Sequence, residues 1–275
     1  MTATRLAKLH ATGNDFLVHQ GALSADVAAR LCDRHRGVGA DGLVALLPGS
    51  NGADCTMVLY NADGGRAEMS GNGMRCLAWV AVRAGLGDGK RLVVDTDGGR
   101  RVVDVECDAS GDVVGANVDM GPVTFDPVKI PLTAASAFDL EATYHGVTYH
   151  GDAAGMGNPH LVLFVDDPAV TRVTTHGPNL EVDERFPQRT NVEFVAVTAP
   201  DELTMRVWER GVGETLSCGT GACAAAAVAH RRGLVGEHVI VKVLGGELTV
   251  DLGDTVRLGG PVVHVFDVDV ELDTR

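Results

Sequence analysis

The 275-residue sequence has few basic residues for its number of acidic ones, and this deficit excludes some classes of partner. It contains 23 Lys and Arg against 37 Asp and Glu, a formal net charge of −14 with the histidines neutral. A surface that acidic repels phosphate backbones and anionic lipid headgroups. We therefore expect neither nucleic acid nor a membrane surface as a partner.

Long apolar runs and paired cysteine motifs are also missing. No stretch approaches the ~18 apolar residues of a transmembrane helix, and the first ten residues lack the apolar core and cleavage site of a signal peptide. The six cysteines include no Cys-x-x-Cys pair, in a chain too long to need disulfides for stability. These absences predict a cytoplasmic protein with reduced thiols.

Short motifs that mark several common enzyme classes are absent. There is no Walker loop, His-Glu-x-x-His pair or Gly-x-Ser-x-Gly elbow, and the ten histidines are scattered singly. The segment Gly37–Gly42 matches G-x-G-x-x-G, yet a helix-like basic segment precedes it and a strand follows. That order is the reverse of a Rossmann fold. We therefore expect neither a dinucleotide nor a metal.

Glycine and short β-type runs are abundant instead. Glycine accounts for 35 residues, which indicates many backbone positions that need its conformational freedom. Several short runs alternate apolar and polar residues, as half-buried strands do, and the chain length favours two domains. The predicted strands cover residues 42–47, 55–60, 91–94, 102–107, 161–165, 192–197, 204–208, 239–243 and 262–272, and the predicted helices cover 25–35, 74–84 and 222–232.

Two motifs occur twice, in the same order and about half a chain length apart. Ser70–Gly73 resembles Cys218–Gly221, and each run enters a helix-like segment of small residues. Upstream, Gly13–Phe16 resembles Gly157–His160. This duplication predicts two similar α+β domains, residues 1–121 and 122–265, with residues 266–275 completing the first.

The repeated glycine runs suggest two anion-binding sites. Successive backbone N–H groups before a helix point into one concavity, and the helix dipole favours an anion there. Ser70 and Cys218 would flank a shared carboxylate ligand, and a thiol at a helix start is expected to have a lowered pKa. The alternative is that both runs are only tight helix entries, with Ser70 as an N-cap.

Together with Asn61–Gly64 and Glu209–Gly211, these motifs resemble diaminopimelate epimerase along essentially the whole chain. The resemblance implies two pseudo-symmetric α+β domains, each a mixed sheet or barrel wrapped around a central helix. It implies a homodimeric isomerase of lysine and peptidoglycan precursor synthesis that acts on diaminopimelate without pyridoxal phosphate or another cofactor. In this family one cysteine removes the α-proton and a second cysteine delivers a proton to the opposite face.

The resemblance also assigns roles to individual residues. Cys218 is similar to one of the two acid/base cysteines, while Ser70 occupies the position of the other. His160 and Glu209 resemble the pair that tunes the thiols. The reacting carboxylate would be held at Gly71, Asn72, Gly219 and Thr220, and the substrate-recognition set comprises Asn14, Asn61, Asn158, Asn191, Glu209 and Arg210.

Two positions depart from the family pattern. Some relatives place glutamine where this chain has Gly42, so one polar contact is absent here or comes from the backbone. Ser70 is the sharper departure, because a hydroxyl is a much weaker acid than a thiol. Cys76 is expected to face away and not to replace it.

Three interpretations of Ser70 remain open. The serine is an engineered replacement that disables the enzyme; or it is natural, with slow or water-assisted epimerisation; or the chain has moved to a one-base reaction. The last class includes a racemase of another amino acid and an eliminating lyase. A non-catalytic amino-acid-binding protein on the same fold is a further alternative.

Overall fold

Strands dominate the computed structural model, which describes residues 3–272. Within that range the chain forms eighteen strands and four helices, an α+β fold. It divides into two compact units, one containing the residues up to Asp119 together with those from Gly259 onward, the other containing Met120–Leu258. The sequence analysis predicted these two divisions after residue 121 and after residue 265.

The first unit is a mixed sheet that runs from β1 to β8 along the chain. β1 pairs with β2, β3 with β4, β6 with β7 and β7 with β8, all antiparallel, while β2 runs parallel to β3 and β4 parallel to β6. Its elements are β1 (Ala3–Ala11), β2 (Asn14–Gln20), α1 (Ala25–Cys32), β3 (Gly42–Pro48), β4 (Cys55–Asn61), β5 (Arg66–Ala67), α2 (Gly71–Arg83), β6 (Arg91–Asp95), β7 (Arg101–Cys107) and β8 (Val113–Asp119).

The second unit repeats this arrangement. β10 pairs with β11, β12 with β13 and β15 with β16, again antiparallel, while β11 runs parallel to β12 and β13 parallel to β15. Its elements are β9 (Leu140–Tyr144), β10 (Val147–Gly155), β11 (Pro159–Phe164), α3 (Val173–Glu181), β12 (Asn191–Ala199), β13 (Glu202–Glu209), β14 (Gly213–Thr215), α4 (Gly219–Arg231), β15 (His238–Val243) and β16 (Gly246–Asp251).

The last two strands return the chain to the first unit. β17 (Arg257–Pro261) crosses the division between the units, and β18 (Val263–Glu271) pairs antiparallel with β1. A carboxy-terminal strand therefore completes the sheet in which the chain began.

One helix lies at the centre of each unit. α2 packs against six strands of its sheet, among them β1, β2 and β8, and α4 packs against six strands of its own. The alanines of α4 from Ala222 to Ala229 are buried, and their small side chains let the surrounding strands approach closely. Both helices begin directly after the capping residue of a glycine run, so each unit presents one helix start.

The helices differ from the sequence expectation in three ways. α2 and α4 begin three residues earlier than predicted, at the first glycine of each run. α1 ends at Cys32, because the Asp33 carboxylate accepts the backbone N–H groups of His35 and Arg36 and forms a turn. α3 was not predicted, since Gly177 and Pro178 within it disfavour a helix.

Candidate active site

The start of α4, residues Cys218–Gly221, is called the cysteine entrance here. Cys218 is the N-cap of the helix, and its sulfur accepts the backbone N–H of Gly221 at 3.4 Å. The hydroxyl of Thr220 lies 3.6 Å from the same sulfur. The residue is only 5% exposed, so the sulfur sits at the positive end of the helix and almost out of bulk water.

A carboxylate stands beside this thiol. Glu209, the last residue of β13, accepts a hydrogen bond from Cys218, and the hydroxyl of Thr215 donates to its Oε1. Burial raises the pKa of the Glu209 carboxyl, against the lowering effect of these two hydrogen bonds. A carboxylate with a raised pKa next to a thiol can take and return the thiol's proton.

The pKa of Cys218 differs from the sequence expectation. Burial raises it well above its ordinary value, and the negative charges of Glu209 and Glu193 raise it further. The hydrogen bonds from Thr220 and Gly221 work in the opposite direction and are outweighed. The expectation of a lowered pKa was wrong because it considered the helix start alone, without the burial of the sulfur and the two nearby carboxylates.

A buried ion pair lies next to the cysteine entrance. Nδ1 of His160, on β11, is 2.7 Å from Oε1 of Glu193, on β12, and both side chains are 0% exposed. On its other edge, Nε2 of His160 is 2.9 Å from Oδ1 of Asn158. The sequence predicted His160 and Asn158 as site residues but missed Glu193. The available signal was one acidic residue inside an otherwise apolar strand.

Gly221 separates the ion pair from the sulfur. A Cβ added there would lie 2.7 Å from Oε1 of Glu193 and 3.2 Å from Sγ of Cys218. Real Cβ atoms do not approach so closely, so only glycine fits between the two groups. The repeated glycine of this run therefore lets the carboxylate and the thiol flank the same helix turn.

Asn191 holds the backbone of two neighbouring segments. Its Nδ2 donates to the carbonyl of Pro159 at 2.9 Å, and its Oδ1 accepts the N–H of Arg210 at 2.9 Å. The side chain is 3% exposed. The guanidinium of Arg210 is exposed and donates to the carbonyl of Gln188. Asn191 thus fixes the turn before His160 and the turn that carries Arg210.

The start of α2, residues Ser70–Gly73, is called the serine entrance here. The hydroxyl of Ser70 accepts the N–H of Gly73 at 3.1 Å, as an N-cap does. Asn72 donates from Nδ2 to Oδ1 of Asn14 at 3.1 Å, and its own Oδ1 accepts from Arg75 at 2.6 Å. The structure therefore brings three predicted site residues, Ser70, Asn72 and Asn14, to one end of this unit.

The side chains that lie against Gly73 of the serine entrance are apolar. A Cβ added at Gly73 would lie 3.1 Å from Cε of Met57 and 3.5 Å from a ring carbon of Phe16. Neither neighbour can take or release a proton. Val44 holds the strand position here that Glu193 has at the cysteine entrance.

A charged cluster supports Asn14 from the side. Asn14 donates to Asp41 at 2.8 Å, and Arg34 bridges Asp41 and Asp15 at 2.7 Å each. Lys8 also contacts Asp15. Burial raises the pKa of Asp15, but the hydrogen bonds from Arg34 and Lys8 outweigh it and hold the pKa well below its usual range.

Asn61 and Gly42 face each other in the register of β3 and β4. Asn61 is the exposed last residue of β4. A Cβ at Gly42 would lie 2.7 Å from the carbonyl oxygen of Tyr60 and 3.0 Å from the ring of Phe16. The close approach explains why glycine occupies this position.

The remaining predicted positions lie at the two helix starts. Gly71 and Asn72 open α2, and Gly219 and Thr220 open α4. N–H groups in the first turn have no partner in their own helix and can bind an anion. Cys76 lies inside α2, where burial raises the pKa of its thiol to about 12. Among residues 3–272, no group of three or more His, Cys, Asp or Glu could hold a metal ion.

Sequence comparisons agree with the repeated motifs. A family model described as diaminopimelate epimerase matches residues 6–125 and 153–264. The diaminopimelate epimerase of Heliobacterium modesticaldum is 40% identical over 278 residues, which cover 96% of this chain and 99% of the relative. The diaminopimelate epimerase of Moorella thermoacetica is 41% identical, covering 97% and 99%.

Solved structures of lower identity share the fold. A hydroxyproline epimerase from Agrobacterium vitis superposes with a TM-score of 0.75 at 18% identity, covering 98% of this chain and 93% of that one. A probable proline racemase from Agrobacterium radiobacter gives a TM-score of 0.73 at 17% identity, with the same coverage. At this identity the likeness extends to the fold alone.

Proposed function

The chain belongs to the diaminopimelate epimerase family, and on this premise we propose that it interconverts L,L- and meso-diaminopimelate by proton transfer at the α-carbon. The observation that carries the proposal is the cysteine entrance, where the Cys218 sulfur caps α4 beside the Glu209 carboxylate. The family supplies the isomerase class and the place in lysine biosynthesis.

Cys218 is the proposed proton carrier on one face of the substrate. In one direction its thiol donates a proton to the α-carbanion and leaves a thiolate. In the other direction Glu209 takes the thiol proton, the thiolate removes the substrate's α-proton, and Glu209 returns its proton to solvent. Each turnover removes one proton and adds one, so no oxidant or reductant is needed.

The two helix starts are the proposed binding sites for the reacting carboxylate. Backbone N–H groups at Gly71, Asn72, Gly219 and Thr220 would donate to its oxygens, as the first turn of a helix can. The same donors stabilise the charge that develops when the α-carbon loses its proton. Recognition of the distal ammonium and carboxylate is assigned to the polar set Asn14, Asn61, Asn158, Asn191, Glu209 and Arg210.

Ser70 limits the proposed reaction. Its hydroxyl stands where the family has the second cysteine, and it accepts the capping hydrogen bond from the N–H of Gly73. A hydroxyl cannot exchange protons with a carbanion as readily as a thiol. We therefore propose slow epimerisation, in which Ser70 or water supplies the proton opposite Cys218.

The finer biological setting is also a proposal. Family membership favours a homodimer that works in the cytoplasm without pyridoxal phosphate. Among the described residues, no helix combines the length and the apolar character needed to cross a membrane. Light scattering of the purified chain tests the dimer, and the spectrum of the active enzyme tests for a bound cofactor.

The direct test is α-proton exchange in deuterated water. The protein is incubated with L,L- or meso-diaminopimelate, and deuterium at the α-carbon is followed by NMR and mass spectrometry. We expect exchange with at least one isomer, and faster exchange and epimerisation with Ser70→Cys. Absence of exchange with both isomers, in both forms of the protein, would contradict the proposal.

A second candidate function follows from Ser70 alone. With one thiol, the chain could catalyse a one-base reaction, such as elimination from a β-substituted amino acid, or bind an amino acid without turnover. Product analysis with β-substituted amino acids separates the first alternative from epimerisation. Tight binding of diaminopimelate without isotope exchange would support the second.

A further inference from the structure

Glu193 is a buried charge that the proposed reaction does not use directly. The carboxylate is 0% exposed, its Oε1 contacts Nδ1 of His160 at 2.7 Å, and its Oε2 has no hydrogen-bond partner among the described residues. Burying two charged groups carries a desolvation cost that the attraction between them often fails to recover. Because of this desolvation cost, we expect the pair of His160 and Glu193 to have a role other than packing.

The first unit shows that the fold does not need this pair. In the parallel register of β11 and β12, His160 lies opposite Asn191 and Val162 lies opposite Glu193. The corresponding register of β2 and β3 places Phe16 opposite Gly42 and Val18 opposite Val44. Phe16 and Val44 therefore hold the positions of His160 and Glu193, and the same sheet forms around apolar side chains.

The hydrogen bond to Glu193 decides how the His160 ring is held. A carboxylate accepts hydrogen bonds and cannot donate when ionised, so Nδ1 carries the proton. Nε2 lies 2.9 Å from Oδ1 of Asn158, an amide oxygen that also accepts, so both ring nitrogens donate to fixed acceptors. Without Glu193 the ring would have no acceptor at Nδ1 and could turn over.

We propose that Glu193 is a positioning residue of the active site, which fixes the ring orientation of His160 and so holds Nε2 of His160 toward Asn158. The catalytic importance of this orientation rests on the proposed function and on the resemblance that places His160 in the pair that tunes the thiols. The orientation itself can be measured without turnover.

The chain offers four informative variants. Glu193→Gln keeps an oxygen acceptor for Nδ1 and removes the charge, and Glu193→Val installs the residue of the first unit. The double variant His160→Phe with Glu193→Val reproduces the apolar pair of the first unit. Asp152→Asn is the matched control, because Asp152 is a buried carboxylate paired with Arg232 at 2.6 Å, at the opposite end of α4.

The first measurement is the ring-nitrogen NMR spectrum of His160 in protein labelled with ¹⁵N-histidine. We expect a protonated, hydrogen-bonded Nδ1 in the wild type, in Glu193→Gln and in Asp152→Asn. In Glu193→Val that signal should be lost or averaged between tautomers. An unchanged His160 spectrum in Glu193→Val would overturn the proposal.

The second measurement separates kcat from KM in the exchange assay. Loss of a group that orients a functional residue typically costs about 10- to 100-fold, so we expect that loss of kcat in Glu193→Val, with KM changed less than about 3-fold. Glu193→Gln should recover most of the rate, and Asp152→Asn should keep it. Equal losses in Glu193→Val and Asp152→Asn would overturn the proposal.

The double variant tests whether the pair of His160 and Glu193 has only a structural role. If the pair serves positioning, the apolar replacement should fold and melt at or above the temperature of Glu193→Val, since it leaves no unpaired imidazole. A double variant that fails to fold, while Glu193→Val folds, would overturn the proposal. Absence of exchange with both isomers, in the wild type and in Ser70→Cys, would refute the proposed function, and the NMR result alone would then test the role of Glu193.

Discussion

The serine entrance and the cysteine entrance share a backbone and differ in their chemistry. In both, the capping side chain accepts the N–H of the third helical residue, from Gly73 in one and Gly221 in the other. At the cysteine entrance, burial raises the pKa of the capping thiol, and the charges of Glu209 and Glu193 raise it further. At the serine entrance, the side chains of Met57 and Phe16 lie against the glycine.

This difference teaches which part of the repeat belongs to the fold and which to the reaction. The helix starts, the glycines and the strand register occur in both units, so they are the structural part. Among residues 3–272, the capping thiol, Glu209 and the buried pair of His160 with Glu193 belong to the second unit. We therefore propose that the thiol-based acid/base chemistry lies at the cysteine entrance, while the serine entrance contributes binding and the weaker acid Ser70.

The largest expected effect comes from removing the thiol of the cysteine entrance. Cys218→Ala should lower α-proton exchange by about 10³- to 10⁴-fold, because general acid/base groups contribute on that scale. The measurement is deuterium incorporation into diaminopimelate. Cys223→Ala is the control, a buried thiol within the same helix, and should stay within about 3-fold of the wild type. Full activity in Cys218→Ala would show that the Cys218 thiol does not transfer the proton, and it would contradict the proposed chemical difference between the two entrances.

The second-largest expected effect comes from giving the serine entrance a thiol, as the cysteine entrance has. Ser70→Cys should raise epimerisation by about 10²-fold, since it supplies the second thiol that the proposed reaction lacks. The rates of product formation from both isomers provide the test. Ser70→Ala is the matched control, because it removes the hydroxyl and adds no thiol. A gain in Ser70→Ala equal to that in Ser70→Cys would show that the thiol is not the cause.

A smaller effect should follow at the carboxylate beside the thiol. Glu209→Gln keeps the shape of the side chain but cannot take the proton of Cys218, so we expect kcat to fall by about 10- to 100-fold. Steady-state kinetics with either isomer measures this change. Glu214→Gln, in the same hairpin and paired with Arg206 at 2.6 Å, is the control. A similar loss in both variants would point to the hairpin instead of the carboxylate.

The smallest effect concerns stability in the first unit, where the charges around Asn14 are structural. The pKa of Asp15 is lower in the folded chain than in the unfolded one, so its stabilising effect is present above about pH 4 and is lost as the pH falls below it. Between about pH 5 and pH 3 the wild type should therefore lose more stability than Asp15→Asn. The difference in melting temperature should be about 2–4 °C.

The control for this pH dependence is Asp166→Asn, an exposed aspartate of the second unit. Its melting temperature should follow that of the wild type across the same pH range. If Asp15→Asn also follows the wild type, the charge cluster of the first unit does not contribute as described.

The repeated motifs made much of the fold predictable. The nine predicted strand segments all lie within or close to observed strands, because alternation and short apolar runs are strong local signals. The duplication could be seen because both glycine runs keep their positions relative to the upstream asparagine motifs. α3 could not be predicted, since Gly177 and Pro178 disfavour a helix locally and its packing against Trp208 is a tertiary effect.

The candidate site was predictable in its residues and less so in its electrostatics. Motif resemblance identified Cys218, Glu209 and His160, but it gave the wrong direction for the pKa of the thiol. That direction depends on burial and on Glu209 and Glu193, which lie on two neighbouring strands that pack against α4. Sequence spacing around Cys218 carries no information on such a contact.

The central claim is that the two entrances differ in their acid/base chemistry. Its most direct test compares two rates in deuterated water: the rate of deuterium incorporation at the α-carbon and the rate of formation of the inverted isomer. For the isomer whose α-hydrogen faces Cys218, the wild type should recover deuterated substrate of unchanged configuration faster than it forms the inverted isomer. Ser70→Cys should bring the two rates together, because both faces then carry a thiol. Equal rates of exchange and inversion in the wild type, unchanged in Ser70→Ala, would contradict the assignment of the acid/base chemistry to the cysteine entrance.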